Sequence, residues 1–302
     1  MASRLTVLTW HNVEATWCYP AMTGTGVRGL ERQLRRLRRV ATVVPLEPSL
    51  RALVEHRPLP PRAVALTWDD GYRDTLDLAV PLLERLEFPA TFFLVPGLLS
   101  GEVRAWWELL GWAFAHAGTE SVHWGGRDLA VRGPGSRRAY DWVSDRLREQ
   151  TRAAREQSMA ELLDLLRPGG EPDDRRMFLD WSGAKELVRR GFDVGSHSSW
   201  HDILSRQPAE EQVRDLAGSR KWLEAELDVP VRLLAYPSGQ PGEYDGNTVR
   251  AAAEAGYSYA FTTDAGWNSP ATPHLEGHRI VLEPHRTFTG MLTERVLARL
   301  RR

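Results

Sequence analysis

The chain has 302 residues, of which 42% are hydrophobic and 26% are charged, and its net charge at pH 7 is −1. This balance is typical of a globular protein with one large α/β domain or two smaller ones, and it gives no electrostatic reason to expect nucleic acid or an anionic membrane as a partner. The single cysteine, Cys18, excludes an intramolecular disulfide and a cysteine-based metal cluster. No stretch reaches transmembrane length, and the N-terminal apolar run is too short for a signal peptide. We therefore expect a cytoplasmic protein.

The first hundred residues alternate apolar segments with helical patterns. The segment 63–66, preceded by two prolines, is typical of a buried strand, and the continuous apolar run 89–95 indicates a parallel sheet that is covered on both faces. Alternation of this kind favours an α/β fold. The predicted strands are 5–10, 42–46, 63–66 and 89–95, and the predicted helices are 29–40, 49–56 and 75–87.

Residues 98–176 interrupt this alternation. Their pattern predicts a helix over 102–117, a hairpin of the strands 121–124 and 128–131, and a charged helical stretch over 136–166. We interpret 98–176 as an insertion within a single domain that spans 1–302. It is a lid, a wall of the substrate site or an oligomer contact, and the sequence does not choose among the three.

The regular pattern resumes after the insertion and continues to the end of the chain. The predicted strands are 192–196, 231–237, 259–262 and 279–282, and the predicted helices are 183–190, 208–227, 247–256 and 289–300. The number of strands and helices predicts one closed or nearly closed β/α barrel with a large, mainly helical insertion.

Two of the predicted strands are followed by residues that can bind a metal. Asp69 and Asp70 follow the strand 63–66, and His197 and His201 follow the strand 192–196. Taken alone, Asp70 is explained as a helix cap and each histidine as a hydrogen-bonded surface residue. Two imidazoles and one carboxylate, however, are a known ligand set for catalytic zinc that leaves a position for water. Because the carboxyl ends of parallel strands share one edge, the combination favours a metal site.

Three motifs, in this order, resemble those of the polysaccharide deacetylase family, whose members have a NodB-like domain (carbohydrate esterase family 4). They are Thr-Trp-Asp-Asp-Gly at 67–71, Ser-His-Ser-Ser-Trp-His at 196–201 and Leu-Ala-Tyr-Pro-Ser-Gly at 234–239. The segments 89–94 and 256–260 extend the similarity. The resemblance implies a distorted (β/α) barrel of the NodB-homology type.

The resemblance also implies a role for the motif residues. Asp70, His197 and His201 would hold a divalent metal, usually zinc, and Asp69 would be the general base that takes a proton from water on the metal. Zinc lowers the pKa of such a water to about 7. The backbone N–H of Ser238 would stabilise the tetrahedral oxyanion, a contribution of about 3 kcal/mol to the barrier.

The general acid that protonates the leaving amine has two candidates. His285 follows a late apolar strand, where many family members carry this histidine, but Pro284 interrupts the approach. His11 directly follows the strand 5–10, and some relatives are similar in having a Tyr-His motif near the N-terminus for this role. The first and last strands of a closed barrel are neighbours, so we favour His11.

The third motif departs from the family pattern, which often has an arginine two residues before the proline. That position is Ala235 here, and Arg279 is the candidate for a supporting cation near Asp69 from another strand. Trp267 resembles the family's fourth motif, where a tryptophan borders the substrate, although packing under a loop explains it equally well. Tyr236 and Trp200 lie within the other motifs and are predicted to contact the substrate.

These patterns together predict a metal-dependent hydrolase that removes the acetyl group from an N-acetylated sugar or polysaccharide. The expected partners are zinc and an N-acetylated carbohydrate, without nucleic acid or a membrane. Two alternatives remain, a deacylase or amidase of a small molecule and a catalytically idle relative that binds carbohydrate. The complete set of Asp69, Asp70, His197 and His201 argues against the idle relative. Neither the oligomeric state nor the length of the carbohydrate follows from the sequence.

Overall fold

The computed structural model describes residues 3–18, 26–174 and 176–282. Eight of the described strands form one sheet and two form a separate hairpin. The strands are β1 (Leu5–Trp10), β2 (Thr42–Val43), β3 (Ala63–Trp68), β4 (Thr91–Leu94), β5 (Ser121–Trp124), β6 (Arg127–Ala130), β7 (Asp193–Ser196), β8 (Leu233–Ala235), β9 (Tyr259–Phe261) and β10 (Ile280–Val281). The order in the main sheet is β10-β1-β3-β4-β7-β8-β9, with β2 beside β3, and each of these described pairs is parallel.

Helices surround this sheet, and three of the described helices pack instead with the separate β5–β6 hairpin. The helices are α1 (Gly26–Val40), α2 (Leu46–Val54), α3 (Val80–Arg85), α4 (Pro96–Leu99), α5 (Trp106–Ala115), α6 (Ser136–Arg148), α7 (Arg152–Leu166), α8 (Trp181–Arg189), α9 (Ala209–Leu227) and α10 (Gly246–Glu254). A π-helical turn over Thr75–Ala79 leads into α3. Among the described helices, none is both long and apolar enough to cross a membrane.

The register of the central strands places their carboxyl ends at one edge of the sheet. β1 and β3 pair residue by residue from Leu5 with Ala63 to Trp10 with Trp68. Every residue of both strands is buried, including their threonines. The segments after β1 and β3 therefore leave the sheet side by side, and the first of them begins with His11 and the second with Asp69.

The sheet curls into a distorted, nearly closed barrel, and the predicted α/β barrel is confirmed. β10 pairs with β1 on one side, and Phe261 of β9 forms a parallel bridge with Gly277 on the other. The segment 277–281 therefore spans the space between the last strand and the first. The curl brings the side chain of a residue in this segment, Arg279, into the interior, where it is fully buried.

The segment 98–176, which the sequence analysis interprets as an insertion, has a hydrophobic core of its own. The residues that form it are Leu110, Trp112, Ala113, Phe114, Ala117, Val122, Trp124, Leu129, Val131, Ala139, Val143, Leu147, Met159, Leu162 and Leu166. They come from α5, the β5–β6 hairpin, α6 and α7, which the sequence predicted as a helix, a hairpin and one helical stretch. The predicted single stretch 136–166 is two helices, because the chain turns at 149–151 and Thr151 caps α7.

The predicted boundaries on either side of Pro45 also differ from the structure. The strand predicted over 42–46 ends at Val43, and α2 starts at Leu46 rather than at residue 49. Pro45 explains this difference, since it has an extended backbone immediately before the helix and its carbonyl accepts the first helical hydrogen bond, from Ser49. The helix predicted over 289–300 and His285 lie outside the described residues.

Candidate metal centre

The carboxylate pair Asp69 and Asp70 lies at the carboxyl end of β3 and is almost completely buried. The Asp69 N–H donates to the carbonyl of Trp10, which extends the β1–β3 pairing by one residue. Asp70 and Gly71 then have the left-handed backbone, with φ of +70° and +78°. An aspartate in this region stores strain that is typical of functional sites, and both carboxylates lie within 4.0 Å of Nε2 of His197.

His197 and His201 approach Asp70 from the loop after β7. Their Nε2 atoms lie 3.3 Å and 3.1 Å, respectively, from Oδ1 of Asp70, and one ligand atom from each of the three residues lies within 4.8 Å of the others. The loop is not helical. Ser198 and His201 have φ of +63° and +57°, and the His201 N–H donates to Oγ of Ser198 at 2.9 Å, so a tight turn brings both imidazoles to one side.

These three residues fit a divalent cation. Oδ1 of Asp70 is buried and, within the described part of the chain, meets no hydrogen-bond donor in good geometry. Burial alone would raise the pKa of Asp70, but the two imidazoles hold it well below its ordinary value. Nδ1 of His197 lies 2.7 Å from the carbonyl of Ala235, which fixes the tautomer that directs the Nε2 lone pair towards Asp70. Charged carboxylate and neutral imidazole are zinc ligands.

Asp69 has a different partner, Arg279. Its Oδ1 accepts a 2.7 Å hydrogen bond from Nη1 of the fully buried Arg279, and its Oδ2 lies 4.0 Å from Nε2 of His197. The guanidinium also donates to the carbonyl of Thr262 at 3.1 Å. Burial would raise the pKa of Asp69, but Arg279, His197 and His11 together lower it. Asp69 is therefore ionised beside the candidate metal ligands.

His11 directly follows β1 at the same edge of the sheet. Because Trp10 pairs with Trp68 in register, His11 and Asp69 leave the sheet as neighbours. The segment behind His11 is anchored by Asp74, whose Oδ2 accepts hydrogen bonds from the N–H groups of residues 13 and 14 at 2.8 Å and 2.7 Å. The other candidate acid, His285, lies outside the described residues.

The turn after β8 brings Ser238 to this edge. Ser238 has φ of +58°, and its Oγ accepts a hydrogen bond from Arg148 of α6 at 2.5 Å. Tyr236 is fully buried, stacks on Tyr244 with ring centroids 5.3 Å apart and donates its hydroxyl hydrogen to the carbonyl of Leu275. Its predicted substrate contact stays a prediction.

The two predicted tryptophan contacts lie at different ends of the sheet. Trp200 is half-buried beside His201, with the Arg152 guanidinium 4.9 Å from its ring. Trp267 lies next to Asn268, which pairs with Leu5 at the amino end of β1, and the Arg4 guanidinium covers its ring at 4.3 Å. Five strand residues separate that end from the metal ligands, roughly 17 Å. The structure does not bring Trp267 to the site.

The sequence analysis missed the contacts that the insertion makes with this site. Trp107 packs on His201 with ring centroids 4.2 Å apart, and Arg155 of α7 pairs with Asp202, the residue after His201. Glu108 accepts a hydrogen bond from Tyr72, which follows the Asp-Asp-Gly motif, at 2.7 Å. The available signal was Glu108 itself, since a lone acid in the apolar segment 105–115 marks a buried polar contact.

Solved structures with a similar fold include three bacterial proteins, two of which are described as deacetylases. The Streptococcus pyogenes deacetylase PplD, solved with acetate, has a TM-score of 0.64 and 18% identity over 97% of this chain and 98% of its own. A de-N-acetylase from Aggregatibacter actinomycetemcomitans has a TM-score of 0.62 and 15% identity over 96% and 99% of the two chains. IcaB from Ammonifex degensii has a TM-score of 0.59 and 20% identity over 94% of each. This likeness confirms the predicted NodB-type fold.

Sequence comparison gives the family. YxkH of Bacillus subtilis, a protein named for the polysaccharide deacetylases, is 27% identical to this chain over 100 residues. These residues are 33% of this chain and only 35% of YxkH. The profile of the family described as polysaccharide deacetylase matches residues 56–123 and 138–260, well over half of the chain and including Asp69, Asp70, His197, His201 and Ser238. The chain therefore belongs to the polysaccharide deacetylase family.

Proposed function

We propose that this protein is a zinc-dependent hydrolase that removes the acetyl group from an N-acetylated sugar or polysaccharide. The observation that carries the proposal is the division between the two buried carboxylates. Asp70 meets two imidazoles in a set that fits a cation, whereas Asp69 is held ionised by Arg279 and is left to act as a base. Membership of the polysaccharide deacetylase family supports the choice of substrate.

The chain's own residues supply the proton transfers. A divalent ion held by Asp70, His197 and His201 would contribute a Lewis acid that lowers the pKa of water to about 7. Asp69 takes a proton from the water while the water oxygen forms a bond to the acetyl carbonyl carbon. The N–H of Ser238 donates to the developing oxyanion. The C–N bond then breaks, His11 gives a proton to the leaving nitrogen, and the products are acetate and a free amine.

The proposed base and its support argue against a protein that only binds carbohydrate. An ionised carboxylate that is buried at 2% exposure beside a second one costs free energy, and Arg279 is buried with it to offset that cost. A binding protein has no use for such a pair. A small-molecule amide remains the alternative substrate, and acetate release from oligomers of different length distinguishes it from a polysaccharide.

The test measures zinc content and acetate release from N-acetylglucosamine oligomers for the wild type and for Asp69→Asn. We expect about one zinc per chain in both proteins, with acetate release lower by 10²–10⁴-fold in the variant, the range for loss of a general base. The matched control is Asp193→Asn, an aspartate at the amino end of β7, which should release acetate like the wild type. A wild-type protein without zinc and without activity on any acetylated amine would refute the proposal.

A further inference from the structure

The two histidines of the metal centre are held in different ways. Nδ1 of His197 lies 2.7 Å from a strand carbonyl, that of Ala235. Nδ1 of His201 is buried but has no hydrogen-bond partner among the described residues. A metal-ligating histidine normally uses its second nitrogen for a hydrogen bond that orients the ring. Within the described chain His201 lacks that bond, and it lies in a loop with a left-handed backbone, so we look for another contact that orients its imidazole.

That contact is Trp107 of the insertion. Its indole lies against the His201 imidazole with centroids 4.2 Å apart and planes inclined by 44°. Trp107 cannot turn away, because its Nε1 donates to the hydroxyl of Tyr72 at 2.8 Å, and that hydroxyl donates to Glu108 at 2.7 Å. Phe178 packs on another side, edge to face at 6.3 Å. The indole is a fixed surface behind the imidazole.

The residue after His201 is also held by the insertion. Asp202 pairs with Arg155 of α7, and both side chains are at most 5% exposed. The Arg155 guanidinium lies 5.5 Å from the ring of Trp106, the neighbour of Trp107. Two helices of the insertion therefore fix the loop at His201 and at the next residue. A lid that opens would have to break a buried ion pair and expose an aromatic stack.

We propose that Trp107 is a positioning residue for His201, and that the insertion is a fixed wall of the metal centre. The stacked indole takes the place of the missing hydrogen bond by restricting rotation of the imidazole. This proposal rests on the proposed function, because it assigns a role in holding the divalent ion. It also selects one of the three roles that the sequence left open for residues 98–176.

The experiment measures zinc affinity by competition with a chromogenic chelator for Trp107→Leu and Trp107→Phe. We expect Trp107→Leu to bind zinc about 10–100-fold more weakly, the usual loss when the support of a metal ligand is removed. Trp107→Phe keeps a ring against His201 and should recover most of that affinity. The visible spectrum of the Co²⁺-loaded protein should change in the leucine variant, which a general loss of stability does not cause.

The control is Trp112→Leu on the same helix. Trp112 is 5% exposed, like Trp107 at 6%, and it also stacks on a histidine, His116, at 5.3 Å, but it belongs to the core of the insertion. We expect Trp112→Leu to lower the melting temperature and leave zinc affinity unchanged. If Trp107→Leu does not fold, Trp107→Met, which is unbranched and fills most of the space, replaces it.

Three results would overturn the proposal. Wild-type zinc affinity in a folded Trp107→Leu or Trp107→Met variant would show that the indole does not position His201. An equal loss in Trp112→Leu would show that any damage to the insertion acts in the same way. A wild-type protein that binds no divalent ion would refute the proposed function itself. Metal binding by the wild type is therefore measured before any variant is compared.

Discussion

Replacement of Arg279 by methionine tests whether this side chain keeps Asp69 ionised. The side chain is fully buried, and its Nη1 lies 2.7 Å from Oδ1 of Asp69. Methionine has a similar length without the charge, so the change removes the cation and leaves most of the packing. Asp69 would then be a buried carboxylate whose burial, the largest influence on its pKa, is no longer opposed by Arg279. We expect the pKa of Asp69 to rise.

The expected effects on stability and on activity follow separately. Removing one partner of a buried ion pair typically costs about 3–5 kcal/mol, which corresponds to a melting temperature lower by roughly 10 °C for a chain of this size. Acetate release at pH 7 should fall by up to about 10²–10⁴-fold, because a protonated carboxyl cannot act as a base. The acid limb of the pH–rate profile should move to higher pH, so that activity returns in part as the pH is raised.

The structure offers a rescue that a purely structural role would not predict. The Arg279 guanidinium lies 5.5 Å from the ring of Phe93, and Ala235 packs in the same buried cluster as Phe93. An arginine at 235 would enter the space that Arg279→Ala leaves. The double variant with Ala235→Arg should regain activity and the wild-type acid limb. Ala235→Arg alone should be destabilised, because the barrel interior has no room for two guanidinium groups.

The assay is acetate release from N-acetylglucosamine oligomers across the pH range, with zinc content measured on the same samples. In the described structure, Arg279 makes no hydrogen bond to Asp70, His197 or His201, so zinc should be retained in every variant. A folded Arg279→Met protein with the wild-type pH–rate profile would refute the reasoning. Loss of zinc in that variant would show that Arg279 supports the ligands rather than the base.

Two further predictions concern the acid and a buried aspartate. His11→Ala should lower acetate release by 10²–10⁴-fold with zinc retained, and His123→Ala in the exposed hairpin should not. Asp215 is buried and accepts a hydrogen bond from the Ser199 N–H, and burial raises its pKa from 3.8 to about 7. Its contribution to stability is therefore present below about pH 4 and is lost as the pH rises through 7, so Asp215→Asn should stabilise the protein at pH 8, by at most about 4 kcal/mol.

For each of these two predictions, one result would contradict it. Unchanged activity in His11→Ala would favour His285 as the acid. For Asp215, the measurement is the free energy of unfolding in urea at pH 5 and pH 8. The stability of the wild type, measured relative to that of the variant, should be greater at pH 5 than at pH 8. If this difference between the two proteins is the same at both pH values, Asp215 does not titrate in this range.

The sequence predicted the part of the site that depends on strand ends. Parallel strands in register share a carboxyl edge, so Asp70 after β3 and His197 after β7 could be placed together without knowledge of the angles. The placement of His11 beside the pair follows from the same rule, since β1 and β3 are in full register. These residues were predictable because each is attached directly to the end of a strand.

The rest depends on chain paths that carry no local pattern. Trp267 follows β9 and was predicted to border the substrate at the carboxyl edge. Its neighbour Asn268, however, exchanges backbone hydrogen bonds with Leu5 at 2.7 Å and 2.9 Å. Its side chain also bonds to the carbonyl of His278. These contacts draw the loop to the amino edge. Trp107 was recognised as a helical residue, but only the packing of the insertion against the loop after β7 brings it to His201.

Arg279 is distant in sequence from the third motif but close to it in the barrel. The family's third motif often has an arginine on β8, where this chain has Ala235. In an open sheet, β8 and the segment before β10 would lie far apart, and one could not replace the other. In this curled sheet, Phe261 of β9 pairs with Gly277, and Ile280 pairs with Leu8 of β1. Arg279 therefore enters the barrel interior from the segment that joins β9 to β1. Arg279 thus supplies to Asp69, from the segment before β10, a cation that the motif on β8 lacks here.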